Sequence, residues 1–151
     1  MNILDKIAIH TIAIEVLNQR LQKIQLAFDE LNQSLQTNTK SSAGDKHETG
    51  RAMTQLEQEK LSKQLTVTKD LLQGIKKINP SEQHSQIGFG SLFSTETGHF
   101  FISSAIGAIE TDKVSVFCLS PLSPLAKAFN GKKLGEDVSF NGKNYVVTFL
   151  T

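Results

Sequence analysis

The chain has 151 residues, enough for one ordinary domain or two small ones. Its net charge is +1, from 16 Lys and Arg against 15 Asp and Glu, which argues against a globally basic nucleic-acid binder and against an acidic tail protein. One cysteine, Cys118, excludes an intramolecular disulfide framework and a cysteine-based zinc cluster, and no apolar run approaches the roughly 20 residues that cross a bilayer.

The start, Met1-Asn2-Ile3-Leu4-Asp5-Lys6, lacks the basic-then-apolar layout of a signal peptide, so a soluble cytoplasmic protein is expected. Composition changes near Pro80. All three prolines, eight of the nine Phe and seven of the ten Gly lie at or beyond it. The earlier part is rich in Leu, Gln, Lys and Glu, which suit helices; the later part favours Phe, Val, Ile, Ser and Gly, which suit strands and turns. The expected division is therefore 1–79 and 80–151, with Asn79-Pro80 as a helix breaker and a linker over 79–86.

In the first part, Ile7, His10, Ile14, Leu17, Leu21, Ile24, Phe28, Leu31 and Leu35 alternate by three and four, the a/d spacing of a coiled-coil seam. A second series runs through Met53, Leu61, Leu65, Thr68, Leu72 and Ile75. In an antiparallel pair, opposed residue numbers sum to a constant. Here 28 with 61, 24 with 65, 21 with 68, 17 with 72 and 14 with 75 all give 89. This predicts an antiparallel helical hairpin folding back between Gly44 and Asp45. Gln58 stands opposite Leu31 where an apolar residue is wanted, which predicts a local register slip. From Ile14 to the tip the arm would reach roughly 45 Å if helical throughout.

The polar tip, residues 41–50, is longer than a simple helix–helix connection requires. It carries two carboxylates three residues apart, Asp45 and Glu48, which one turn of helix places on one face. Two such carboxylates can hold a hard cation such as Mg²⁺ through oxygen, with the remaining ligands drawn from water or a partner. The same residues also fit as an N-cap and its capping-box partner, with no metal.

In the second part, strands are expected at 88–94, 99–104, 114–119, 137–140 and 144–151. Ser123-Pro124 should open a short helix that Asn130-Gly131 closes. Asn141-Gly142 should form a type I′ hairpin turn. The expected core is Phe93, Phe101, Val116, Leu119, Phe129, Val138, Val146 and Phe149. The four histidines, His10, His47, His84 and His99, have no metal-ligand spacing, and no nucleophile constellation is visible. His10, on the seam, reads as a packed or capping residue, and Cys118 as a buried thiol.

This layout resembles the bacterial Gre transcript-cleavage factors (GreA/GreB) over nearly the whole chain. Gly44-Asp45-Lys46-His47-Glu48 matches the first part of the family's tip, Gly-Asp-x-x-Glu-Asn-Ala-Glu-Tyr. Ser123, Pro124, Ala126, Ala128, Gly131, Lys132 and Gly135 match its C-terminal segment, Ser-Pro-(Ile/Met)-Ala-x-Ala-Leu-x-Gly-Lys-x-x-Gly-Asp. Two departures stand out: Thr49-Gly50-Arg51-Ala52 replaces Asn-Ala-Glu-Tyr, and Leu122 replaces the Asp that often precedes Ser-Pro.

The resemblance implies an α+β fold in which an antiparallel coiled-coil hairpin precedes a small FKBP-like antiparallel β domain with one short helix. It implies an accessory factor rather than an enzyme, acting on RNA polymerase from its secondary channel. Asp45 and Glu48 would help hold a catalytic Mg²⁺ shared with the polymerase, which then cleaves backtracked RNA; no cofactor would be tightly bound. Ser123 and Pro124 would lie in the docking surface. Contact with the RNA 3′ end, no membrane association and a monomer in the functional complex complete the expectation; Lys46 and Arg51 would either meet RNA phosphate or polymerase acids or stand as solvated surface charges. Three alternatives stand beside it: a secondary-channel regulator that inhibits or retunes transcription without cleavage, an FKBP-like peptide-binding module, and a pure interaction module. The chain has no Trp for the pocket of an FKBP-type isomerase.

Overall fold

The computed structural model describes residues 4–39 and 44–151, with side chains described over 4–36 and 50–151. Two helices come first, α1 (Lys6–Thr39) and α2 (Gly44–Lys76). Asp5 caps α1: its Oδ1 accepts from the backbone N–H of Ile7 (3.0 Å) and Ala8 (3.3 Å). The chain forms two compact units, Asn18–Asp70 and a second comprising Met1–Leu17 with Leu71–Thr151.

In the Asn18–Asp70 unit, the less exposed positions on α1 are Leu21, Ile24, Ala27, Phe28, Leu31, Asn32 and Leu35, which include the five that the heptad reading anticipates. On α2 they are Thr54, Gln58, Leu61, Leu65 and Thr68. That series steps by four and three without interruption, so the expected register slip does not occur. Gln58 holds its seam position by donating from Nε2 to Asn32 Oδ1 across the pair at 2.7 Å. A polar layer thus replaces an apolar one, and the sum of these partners lies within one of the expected 89. Met53, expected on the seam, is 68% exposed; Thr54 takes its place, its hydroxyl bonded to the Gly50 carbonyl (2.7 Å).

In the other unit, the sheet runs β3-β4-β2-β1-β7, and a separate two-stranded ribbon pairs β5 with β6. The strands are β1 (Leu92–Thr95), β2 (Gly98–Ile102), β3 (Gly107–Glu110), β4 (Ser115–Leu119), β5 (Asp137–Phe140), β6 (Lys143–Val146) and β7 (Phe149–Leu150), with helix α3 (Pro124–Phe129) after β4. All neighbours are antiparallel except β2 and β4, which run parallel. Three predicted strands are present in shorter form, as β1, β2 and β4, and the one expected at 137–140 is β5. The first starts later because Gly90 adopts φ +90° and turns the chain before Leu92. The strand β3 was not anticipated: four residues with one fully buried side chain, Ile109, leave little alternation to read.

The last predicted strand is two elements. Beyond β6 the chain leaves the ribbon, with Val147 N–H bonded to the Glu136 carbonyl (2.9 Å) and Thr148 N–H to that of Ser94 (2.9 Å), and enters the large sheet as β7. This switch turns Val147 inward (1% exposed) and leaves Val146 at 38%, so Val147 replaces Val146 in the core; Phe149 is only half-buried. Asn141 and Gly142 both take positive φ (52° and 78°), giving the expected type I′ turn.

Each face of the sheet is covered. On one, Phe93, Ile102 and Leu119 pack with Ala126 and Phe129 of α3, Val138 and Val147; the Phe93 and Phe129 ring centroids are 4.9 Å apart. On the other, Leu92, Phe101 and Cys118 lie opposite one another across β1, β2 and β4. There Phe101 meets the His10 ring edge-on at 6.4 Å, and Ser104 Oγ donates to the Leu71 carbonyl at 2.7 Å. The start of α1 accordingly buries Ile9, Ala13 and Leu17, while Ile7 is 53% exposed. The heptad reading through Ile7 and Ile14 is corrected here, because α1 must face the sheet as well as α2.

Replacing Val147 by Ala should lower unfolding stability by about 2 kcal/mol, whereas Val146→Ala should stay within about 0.5 kcal/mol. Urea denaturation midpoints of the two variants test the assignment, and equal losses would contradict it.

Candidate functional site

Three places carry the chemistry of interest. The first is the tip. Helix α2 begins at Gly44, so the backbone of Asp45 and Glu48 lies on its first turns, and Asp45 sits one residue inside the helix rather than ahead of it. The side chains of Asp45, Lys46, His47 and Glu48, and the whole of 40–43, lie outside the described residues. Among the described residues no group of three or more His, Cys, Asp or Glu could hold a metal ion. Arg51 is exposed and borders a crevice of about 320 Å³ between the helices, with Leu35, Gln36, Gln55 and Gln58.

The second is the start of α3. Ser123 has the extended backbone of an N-cap (φ −65°, ψ 149°), and its Oγ accepts from Ala126 N–H at 3.2 Å. Pro124 follows at the first turn, where its missing N–H leaves no unmet bond. The hydroxyl of Ser120 accepts from Leu122 N–H (3.1 Å), so the turn into the cap is itself bonded. Leu122 is 76% exposed and Pro124 is also exposed, while Ala126 and Phe129 anchor the helix in the core. The two residues expected in a docking surface are thus held rigidly, with an apolar rim.

The third place was not anticipated. Lys6, the first residue of α1, is only 5% exposed, and its Nζ is buried with no hydrogen-bond partner among the described residues. Burial pushes its pKa below the ordinary 10.5, with Glu82 acting in the opposite direction. His84 lies near: its pKa is lowered from 6.5 by burial and then by the Lys6 charge, against a smaller opposite pull from Glu82. The Nδ1 of His84 is 3.0 Å from Ser91 Oγ, which also accepts from Gly88 N–H (2.9 Å). A sequence signal existed for Lys6: a cation in the first turn opposes the helix dipole, and Lys6 is three residues before buried Ile9.

The other expected residues are accounted for simply. His10 Nε2 is 2.8 Å from the Ile75 carbonyl, which can only accept, so His10 donates there and caps the end of α2. His99 Nδ1 pairs with Ser94 Oγ across β1 and β2 at 2.6 Å. Cys118 is buried.

No known protein-family profile matches the sequence, and a search of curated proteins finds no match. Among solved structures, the chain is similar to that of the transcription factor Gfh1, with 19% identity, 92% of this chain and 93% of that one covered, and a TM-score of 0.38.

A buried, unpartnered ammonium lowers stability, so Lys6→Met should raise the unfolding free energy at pH 7 by about 1 kcal/mol or more. The lowered pKa sets the sign: the unfolded chain binds the Lys6 proton more tightly, so wild-type stability rises with pH up to 10.5 and the gain from Lys6→Met shrinks there. His84 acts likewise from 6.5 downward: stability falls with acidification, and His84→Gln should flatten that slope. Denaturation at a series of pH values measures both; an unchanged or lower stability of Lys6→Met would contradict the reading.

Proposed function

We propose that this protein is a transcription elongation factor that binds RNA polymerase and enters its secondary channel. The observation that carries the reading is the coincidence of the hairpin with two separate motifs. Helix α2 starts at the Gly44 of Gly44-Asp45-Lys46-His47-Glu48, and Ser123-Pro124 forms the N-cap and first turn of α3. The two helices, of 34 and 33 residues, are far longer than the average globular helix of about 11–12 residues. Such a pair suits the task of carrying a tip to a distant site.

In this reading Asp45 and Glu48 supply oxygen ligands for a Mg²⁺ held jointly with the polymerase. When bound, that ion would stabilise charge on the oxygens of an in-line phosphoryl displacement. The chain's own part is positional. The hairpin presents the carboxylates, the capped start of α3 with exposed Leu122 and Pro124 docks on the polymerase, and Lys46 and Arg51 are placed to meet RNA phosphate or acidic groups near the tip. The protein is then an accessory factor whose chemistry belongs to its partner. It acts in the cytoplasm as a monomer within that complex, with no membrane contact and no tightly held cofactor.

One observation favours a second reading in the same channel. Arg51 stands where the Gre tip has Glu, a reversal of charge one turn of helix beyond the carboxylates. A cation there can pair with Asp45 or Glu48 or with polymerase acids, which suits a regulator that occupies the channel without promoting cleavage.

Stalled, backtracked elongation complexes of the polymerase from the same organism, with Mg²⁺, separate the readings. Wild type should shorten the RNA, and Asp45→Ala/Glu48→Ala should abolish shortening while still binding. Binding without shortening by wild type transfers the assignment to the regulatory reading. No binding overturns the transcriptional role.

A further inference from the structure

The hairpin is built unevenly along its length. In the Asn18–Asp70 unit the seam buries Leu61 and Thr68. Toward the tip, Asn32 and Gln58 form a half-buried layer held by one hydrogen bond of 2.7 Å. Beyond that layer the seam positions among the described side chains are Leu35 and Thr54, and neither is fully buried. Met53 and Leu56, the other large apolar side chains there, are 68% and 66% exposed. We propose that the hairpin beyond the Asn32–Gln58 layer opens as a unit of its own, with Gly50 as its soft point and that layer as its fixed base.

Three observations lead there. The first is the glycine. Gly50 is helical, inside α2, and a Cβ placed on it would meet nothing within 4 Å. Neither a turn nor a close approach calls for glycine at this position. Its effect is to weaken the helix, because glycine loses more conformational freedom on folding than alanine, the residue that the Gre motif has at this place. The second is one turn further on, where Thr54 Oγ1 donates to the Gly50 carbonyl, a back-bond that competes with the helix ladder. The third is the crevice of about 320 Å³ lined by Leu35, Gln36, Arg51, Gln55 and Gln58. Side chains bordering a gap forfeit the dispersion contacts that close packing would give, so the helices adhere weakly at this level.

The polar layer sets the form of the motion. Sliding one helix along the other would leave two half-buried amides unpaired, so the register is held. Separation beyond the layer keeps them paired. On the other side of it, Leu21, Ile24, Phe28, Leu61 and Leu65 carry the adhesion. Isolated helices below roughly 12–15 residues are marginal in water, so the parted segments lose helix as they open. The use of this opening rests on the transcriptional reading: it lets the residues carried beyond the layer be re-aimed after the rest of the protein has docked.

Amide hydrogen exchange of the full chain, followed by NMR at a series of low urea concentrations, tests the division. Amides 33–36 and 51–57 should share one opening free energy and one urea slope, and exchange at least about tenfold faster than amides 59–68. Gly50→Ala, at an open helical position, should slow the first two groups about fivefold and leave 59–68 unchanged. Asn32→Leu combined with Gln58→Leu should erase the step between the groups. A smooth rise of exchange toward the tip, with steadily falling urea slopes, is end fraying and overturns the proposal. So does a single common opening of the whole Asn18–Asp70 unit, or unchanged exchange at 33–36 in Gly50→Ala. The measurement uses no polymerase, so its failure and failure of the transcriptional reading are separate events.

Discussion

Burial of the five-stranded sheet on both faces is the constraint that orders the sheet-bearing unit. Phe93 and Phe101 are each fully buried, yet they lie on opposite faces. Burying a side chain of that size is worth about 1.5–3 kcal/mol, so neither face can be left to water. One is closed locally, by α3 and the β5–β6 ribbon. The other has no local cover and recruits the start of α1 and the end of α2, more than 80 residues from parts of the sheet in sequence. The end of α2 is thereby tied to the segment after β2 by Ser104 Oγ to the Leu71 carbonyl, and the start of α1 to the end of α2 by His10 to the Ile75 carbonyl.

This constraint explains which parts of the fold the sequence could reveal. Heptad spacing identifies the residues a helix buries against one partner, and it succeeds for Leu21, Ile24, Phe28, Leu31 and Leu35. It fails at the start of α1, where a second partner, the sheet, rotates the buried stripe to Ile9, Ala13 and Leu17. It also misjudges Gln58, because a periodicity argument treats a polar residue as a break, while a hydrogen bond to Asn32 keeps it on the seam. The capped α3 and the Asn141-Gly142 turn were legible because their signals are local. The crossing from β6 to β7 was not: nothing in Val146-Val147-Thr148 distinguishes one long strand from two short ones until Glu136 and Ser94 supply the competing carbonyls.

The candidate sites divide along the same line. Asp45, Glu48, Ser123 and Pro124 could be singled out because each belongs to a short contiguous motif. Lys6 and His84 are 78 residues apart and are brought near one another by folding alone, so the sequence offered only the oddity of a lysine in a first helical turn.

Lys6 works against the stability of the α1 base. Apolar side chains fill the neighbouring positions Leu4 and Ile9, and a Met at position 6 would extend that stripe without a charge to desolvate. A protein that retains an ammonium there accepts a less stable base to α1. Elsewhere among the described residues, polar groups in buried or half-buried positions are matched: Gln58 with Asn32, His10 with Ile75, Ser94 with His99, Ser104 with Leu71. Lys6 Nζ departs from that pattern, buried without a hydrogen-bond partner among them.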